Sequence, residues 1–266
     1  MTQALTLSTL RRMKADQAPI VALTAYDYSF ARQLDAAGVD VVLVGDSLGM
    51  VMQGHASTVP VTLDDMVYHT LCVARGLERA YLMVDLPFLS DTDDRAALAS
   101  AARLMKEGGA DMVKIEAHAA QAPMVEALAR AGVPVCAHFG LRPQRVGQLG
   151  GYRVQGRDEA GARQVLDDAR VLEAAGADVL LVECLSAAVA AQVRGQTSLP
   201  LIGIGAGVDC DGQILVLQDM LGITPGQPPR FSHDFLADTG RIQDALEAYV
   251  SAVRTWQFPQ PQHTFE

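Results

Sequence analysis

The chain has 266 residues, half of them apolar, a fifth charged and only 5% aromatic, with 31 acids against 21 bases for a formal net charge of −10. That composition can bury a sizeable core and excludes disorder and collagen-like repeats, while the acidic balance removes any general attraction to nucleic acid or anionic membrane. The length suits one large folding unit, so residues 1–266 are expected to form a single domain whose ligands are small molecules or soluble partners.

Short apolar, β-branched runs follow one another along the chain: IVALTAY (20–26), VDVVLVG (39–45), YLMV (81–84), DMVKI (111–115), VPVCAHF (133–139), DVLLV (178–182), LPLIGI (199–204) and, less distinctly, QILVLQ (213–218). Their near-continuous apolar character suits strands covered on both faces, and the Ala-rich stretches of helical period between them read as crossovers of a parallel sheet. A recurring phrase sharpens this reading. AAGVDVVLV (36–44), EGGADMVKI (107–115), RAGVPVCAH (130–138) and AAGADVLLV (174–182) each place a Gly where a helix would end and turn into a strand. Helix starts are marked by Thr62 with Asp65, in the pattern of a capping box, and by Ser90 ahead of the acidic run DTDD. Eight such units predict a (β/α)8 TIM barrel. An open doubly wound sheet is the competing architecture, but GIGAGV (203–208) has Val208 where a dinucleotide fingerprint needs its third Gly.

Cys72, Cys136, Cys184 and Cys210 show no paired spacing for a zinc site or a disulfide framework, which suits a reducing cytoplasm. Neither the N-terminal MTQALTLSTLRRMK nor any later run has the apolar length of a signal peptide or membrane helix.

In a barrel, chemistry gathers where strands end and βα loops begin. Four strand runs close on an acid: Asp46, Asp85, Glu116 and Glu183. A lone Asp there could be a helix N-cap or a solvated loop acid, but Glu caps poorly, and four carboxylates around one mouth repel unless cations or protons lie among them. A hard divalent cation such as Mg²⁺, with substrate oxygens completing its shell, is the simplest remedy. Lys114 stands two residues before Glu116 and so shares its face. It could be a Schiff-base lysine, an ion-pair partner of Glu116, or an ammonium donor to a substrate oxyanion; the surrounding acids favour the ammonium. His138, near the end of VPVCAHF, could line the same mouth or be a satisfied core histidine. GLRPQRVGQLGGYRVQGR (140–157), with five Gly, four Arg and no acid, reads as a mobile flap or a subunit contact, and the Pro- and Gln-rich tail from about 257 reads as a frayed end.

LTAYDYSFA, DVVLVGDSLGMV, TLDDMVYHT, DLPF, VKIE, GGYRVQGR, LLVEC and IGIGAG occur in this order between about 20 and 225, and together they resemble the ketopantoate hydroxymethyltransferase family. The resemblance implies a Mg²⁺-dependent barrel of the phosphoenolpyruvate/pyruvate-like group, assembled as a cytoplasmic homodecamer with one metal per subunit. It implies transfer of a hydroxymethyl unit from 5,10-methylenetetrahydrofolate to the 2-oxo acid 3-methyl-2-oxobutanoate, in pantothenate synthesis. By the same resemblance Asp46 and Asp85 hold the metal, Glu116 contacts it or its water, Ser47 and Lys114, with Asp85 and His138 beside them, hold the keto acid, and Glu183 is the base. Two other readings share these residues: a C–C lyase of the same barrel group, and an oxo-acid binding protein without catalysis.

Overall fold

The computed structural model describes residues 4–149, 151 and 153–266; Gly150 and Tyr152, inside the expected flap, lie outside them. Eight parallel strands close a barrel in sequence order: β1 (Ile20–Thr24), β2 (Val41–Val44), β3 (Tyr81–Asp85), β4 (Met112–Glu116), β5 (Val135–Gly140), β6 (Val179–Glu183), β7 (Leu201–Ile204) and β8 (Gly212–Leu215). All eight sequence runs become strands, and the open-sheet alternative is excluded by the pairing of β1 with β8, Ile20 opposite Gly212. The phrase glycines do what their positions predict: Gly38, Gly109, Gly132 and Gly176 have φ between 82° and 99°, a left-handed turn that lets each helix stop and the next strand begin at once.

Thr62 caps helix Leu63–Ala74 in a capping box with Asp65. The start expected at Ser90 is corrected. Helix Asp94–Lys106 is capped by Asp93, whose carboxylate accepts from the Ala96 N–H, while the Ser90 carbonyl accepts from the Ser100 hydroxyl. The carboxylate two residues into DTDD thus wins over the serine ahead of it.

The bottom of the barrel carries a regular device. An Asp just before each even-numbered strand accepts from the first or second N–H of the preceding odd strand: Asp40 from Val21 (2.9 Å), Asp111 from Leu82 (2.9 Å), Asp178 from Val135 (3.1 Å) and Asp211 from Leu201 (3.0 Å). Each clasp joins a neighbouring pair of strands and satisfies an amide that would otherwise lack a partner. Cations cover three of them, with Arg254 at 2.6 Å from Asp40, Arg11 at 2.6 Å from Asp178 and Lys14 at 2.8 Å from Asp211. Where β8 meets β1, the buried Tyr249 hydroxyl lies 3.0 Å from the Ala22 carbonyl and 3.1 Å from that of Gln213.

The tail does not fray as expected. Phe258 is buried against Phe235 and Tyr249 in edge-to-face contacts, and Phe265 pairs with Ser186 in a parallel bridge, its carbonyl accepting from Ala187 N–H at 3.0 Å. Three aromatic rings supply more burial than a Pro- and Gln-rich composition suggests.

Candidate active site

Strand register decides which strand-end groups become neighbours. Asp85 lies opposite Lys114, Glu116 opposite His138, and Gly140 opposite Glu183. Asp46, Ser47, Asp85, Lys114, Glu116, His138 and Glu183 all line one cavity of about 780 Å³ at the C-terminal mouth.

Within it the polar groups form a connected line. The Lys114 ammonium lies 2.7 Å from Asp85 Oδ1 and 3.1 Å from His138 Nδ1, and His138 Nε2 lies 3.2 Å from Glu183 Oε2. Burial works against the charge on Lys114, but Asp85, Asp46 and Glu116 outweigh it and raise its pKa. Burial, reinforced by Lys114 and Arg142, drives the His138 pKa well down, so the imidazole is neutral. An ammonium donor at Nδ1 then leaves the ring proton on Nε2, which makes no hydrogen bond although Glu183 Oε2 lies 3.2 Å away.

Burial also pushes the acids up. Asp46 rises to about 7, with Asp85 adding to the effect and Lys114 opposing it. Glu183 rises to about 8, chiefly by burial and against the pull of Lys114, and Glu116 moves well above the usual carboxylate range for the same first reason. These shifts state how costly a cluster of bare carboxylates is in this mouth.

The hydrogen bonds leave a telling pattern. Asp85 Oδ2 accepts from the Asp46 main-chain N–H at 3.0 Å, Asp46 Oδ2 from the Gln144 side-chain amide at 2.8 Å, and Glu116 Oε1 from the Gln144 main-chain N–H at 3.0 Å. On the other side of two of these groups, Asp85 Oδ1 meets the Lys114 ammonium at 2.7 Å, while Glu116 Oε2 is buried and accepts no hydrogen bond. Buried carboxylate oxygens without donors are the hard ligands a divalent cation takes. Among the described residues no three His, Cys, Asp or Glu side chains converge into a ready-made ion cluster; Lys114 supplies the cation held among them.

Several residues at or behind the mouth escaped the sequence reading. Gln144, on the short turn Pro143–Arg145 after β5, is buried and donates to Asp46, Glu116 and the Leu86 carbonyl. The buried Tyr26 hydroxyl lies 2.9 Å from Ser47 Oγ, orienting the serine. Phe231 and Phe265 give the mouth an aromatic wall, and Arg153 and Arg230 add positive charge beside it. Phe265 was hidden by the reading of the tail as frayed.

A sequence profile of the family described as ketopantoate hydroxymethyltransferase matches residues 4–261. A protein of Halorhodospira halophila named 3-methyl-2-oxobutanoate hydroxymethyltransferase is 57% identical over 263 residues, covering 99% of this chain and 95% of its own. One of the same name from Alkalilimnicola ehrlichii is 58% identical over 260 residues, covering 98% and 94%. Among solved structures, a 2,3-dimethylmalate lyase of the PEP mutase/isocitrate lyase superfamily aligns with TM-score 0.58 at 18% identity, over 90% of this chain and 89% of that one, a likeness of fold.

Proposed function

Since the chain belongs to the ketopantoate hydroxymethyltransferase family, we propose that its barrel mouth deprotonates 3-methyl-2-oxobutanoate at C3 and joins that carbon to a one-carbon unit carried by 5,10-methylenetetrahydrofolate. The acceptor and the hydroxymethyl transfer follow from the family and its place in pantothenate biosynthesis; the donor and the assignment of steps to residues are our reading. The observation that carries it is the line Asp85–Lys114–His138–Glu183, which sets a fixed ammonium and a buried carboxylate on either side of one imidazole in the same cavity.

Asp46 and Asp85, with Glu116 on the ion or its water, are the residues that would hold Mg²⁺, one per subunit, and the buried Glu116 Oε2, which accepts no hydrogen bond, suits it. When bound, such an ion supplies a Lewis acid for the charge that develops on the substrate's keto oxygen. Lys114, an ammonium throughout the neutral range, offers donors to the same oxygen and to the substrate carboxylate. Ser47, held by Tyr26, adds a neutral donor to the carboxylate end. Glu183 takes the C3 proton onto its carboxylate. Burial brings its pKa to about 8, near neutrality, where the carboxylate is a stronger base than a solvated one and a fraction of it is ionised. The neutral His138 stands between Lys114 and Glu183 without adding a charge of its own. One C–N bond of the methylene bridge opens and that nitrogen takes up the proton removed from C3, the deprotonated C3 bonds to the methylene carbon, and water then displaces the second folate nitrogen, its oxygen becoming the hydroxyl and its proton passing to the released tetrahydrofolate. The wall of Phe231 and Phe265 fits a flat heteroaromatic donor. A cytoplasmic homodecamer, implied by the family resemblance, belongs to the same proposal, and sedimentation of the purified protein tests the assembly.

The decisive experiment follows the C3 proton of 3-methyl-2-oxobutanoate by NMR in D2O. Exchange is expected with protein and Mg²⁺ alone, chelator should stop it, and hydroxymethylated product should form only once the folate donor is added. Product formation without the folate donor, or no C3 exchange under any condition, would overturn the reading.

A further inference from the structure

We propose that Gln144 is a positioning residue that turns Asp46 and Glu116 so that one oxygen of each is kept for a cation, and that it fastens the root of the 140–157 segment to them. The proposal rests on the metal-binding reading of the acidic mouth given above.

Gln144 places three donors. One side-chain N–H reaches Asp46 Oδ2 at 2.8 Å, the same amide nitrogen reaches the Leu86 carbonyl at 2.9 Å, and the main-chain N–H reaches Glu116 Oε1 at 3.0 Å. These partners lie just beyond β2, just beyond β3 and at the end of β4, so one residue following β5 spans the ends of three preceding strands. Both amide protons are used, which fixes the amide plane. A carboxylate with one oxygen held by an N–H has lost most of its rotational freedom, and its remaining oxygen points where the fold directs it. For Glu116 that remaining oxygen is buried without a donor. The third acid is handled in the same way by a main-chain N–H, that of Asp46 on Asp85 Oδ2. Each of the three acids is thus held on one side by an N–H donor, and two of those three donors belong to Gln144.

A purely structural role would also account for a buried amide in a loop root, and metal affinity separates the two. Gln144→Met keeps length and volume and removes only the side-chain donors. Isothermal titration of the purified protein with Mg²⁺ alone, without substrate or folate, is expected to show about 10- to 100-fold weaker binding than wild type, the usual consequence of losing an outer partner of a metal ligand. Gln144→Asn, which keeps both amide protons on a shorter stem, is expected to fall between the two and serves as the comparison should the Met variant fail to fold. An unchanged Mg²⁺ dissociation constant in a folded variant, even with a lowered melting temperature, overturns the positioning role and leaves the metal site standing. Failure of the wild type itself to bind Mg²⁺ overturns both.

Discussion

Replacing Lys114 by Met tests whether one buried cation holds the acidic mouth together. Lys114 is 6% exposed and its ammonium stands 2.7 Å from Asp85 Oδ1. At an effective dielectric of about 20 a charge pair at that distance is worth roughly 6 kcal/mol before the ammonium's own desolvation is subtracted. Removing one partner of such a buried pair costs about 3–5 kcal/mol, because the other charge is left uncompensated. At about 2–4 °C per kcal/mol for a chain of this size, the metal-free variant at pH 8 should melt roughly 6–20 °C below wild type. The loss should shrink toward pH 5. Burial already raises Asp46 to about 7 and Glu183 to about 8, and without the lysine these acids protonate even more readily, so acid relieves the repulsion that the missing cation leaves. Lys114 itself, with its pKa raised, stays charged across this range and adds no slope of its own. Differential scanning calorimetry with chelator at the two pH values is the assay. A drop under 2 °C at pH 8, or an equal drop at both, would refute the electrostatic account of the mouth.

Glu183→Gln should keep Mg²⁺ and keto-acid binding while folate-free C3 exchange falls by about 10²–10⁴, the span of a general base; a rate within a few-fold of wild type would move the base elsewhere, with His138 next to test. The same variant has a stability signature. With its folded pKa raised to about 8, Glu183 erodes native stability as pH rises from the ordinary carboxylate range toward 8, so Gln should raise the metal-free melting temperature more at pH 8 than at pH 5, and a pH-independent effect would count against the shift. Phe265→Ala should raise KM for the folate donor several-fold and leave folate-free exchange unchanged; slowed exchange would instead place Phe265 on the keto-acid side. Asp40→Ala removes the acceptor of the Val21 N–H and the buried partner of Arg254, costing about 3–5 kcal/mol in urea unfolding with kcat of the folded protein preserved; a tenfold fall in kcat would show that the barrel's two ends are coupled.

Much of this architecture was legible because the barrel repeats its own grammar. Buried parallel strands need continuous apolar runs, and four of the helix-to-strand reversals turn through a residue at positive φ, so 38, 109, 132 and 176 announce themselves as glycine. The acids Asp46, Asp85, Glu116 and Glu183 could be picked out because the fold dictates which end of a strand faces the cavity. Gln144 could not. It lies in a segment rich in Gly and Arg with no periodicity to say which side chains turn inward, and its importance comes from partners 28, 58 and 98 positions away. The tail misled for a related reason. Composition counts Pro and Gln along QFPQPQHTFE, whereas burial depends on Phe258 meeting Phe235 and Tyr249, rings that only the closed barrel brings near. Three of the aspartates ahead of the even strands were visible in the phrases VDVV, ADMV and ADVL, but their role needs the register of the neighbouring strand.

Those four aspartates give the barrel a joinery of quarters. Their clasps fall within the pairs β1–β2, β3–β4, β5–β6 and β7–β8. The mouth ties across other joints, with Asp46 to Asp85 bridging β2 to β3 and Gln144 reaching from β5 back to the ends of β4, β3 and β2. Tyr249 stitches β8 to β1. A ligand that grips the acids of β2, β3 and β4 would therefore add, at the mouth, a tie across the β2–β3 joint that the aspartate clasps do not span.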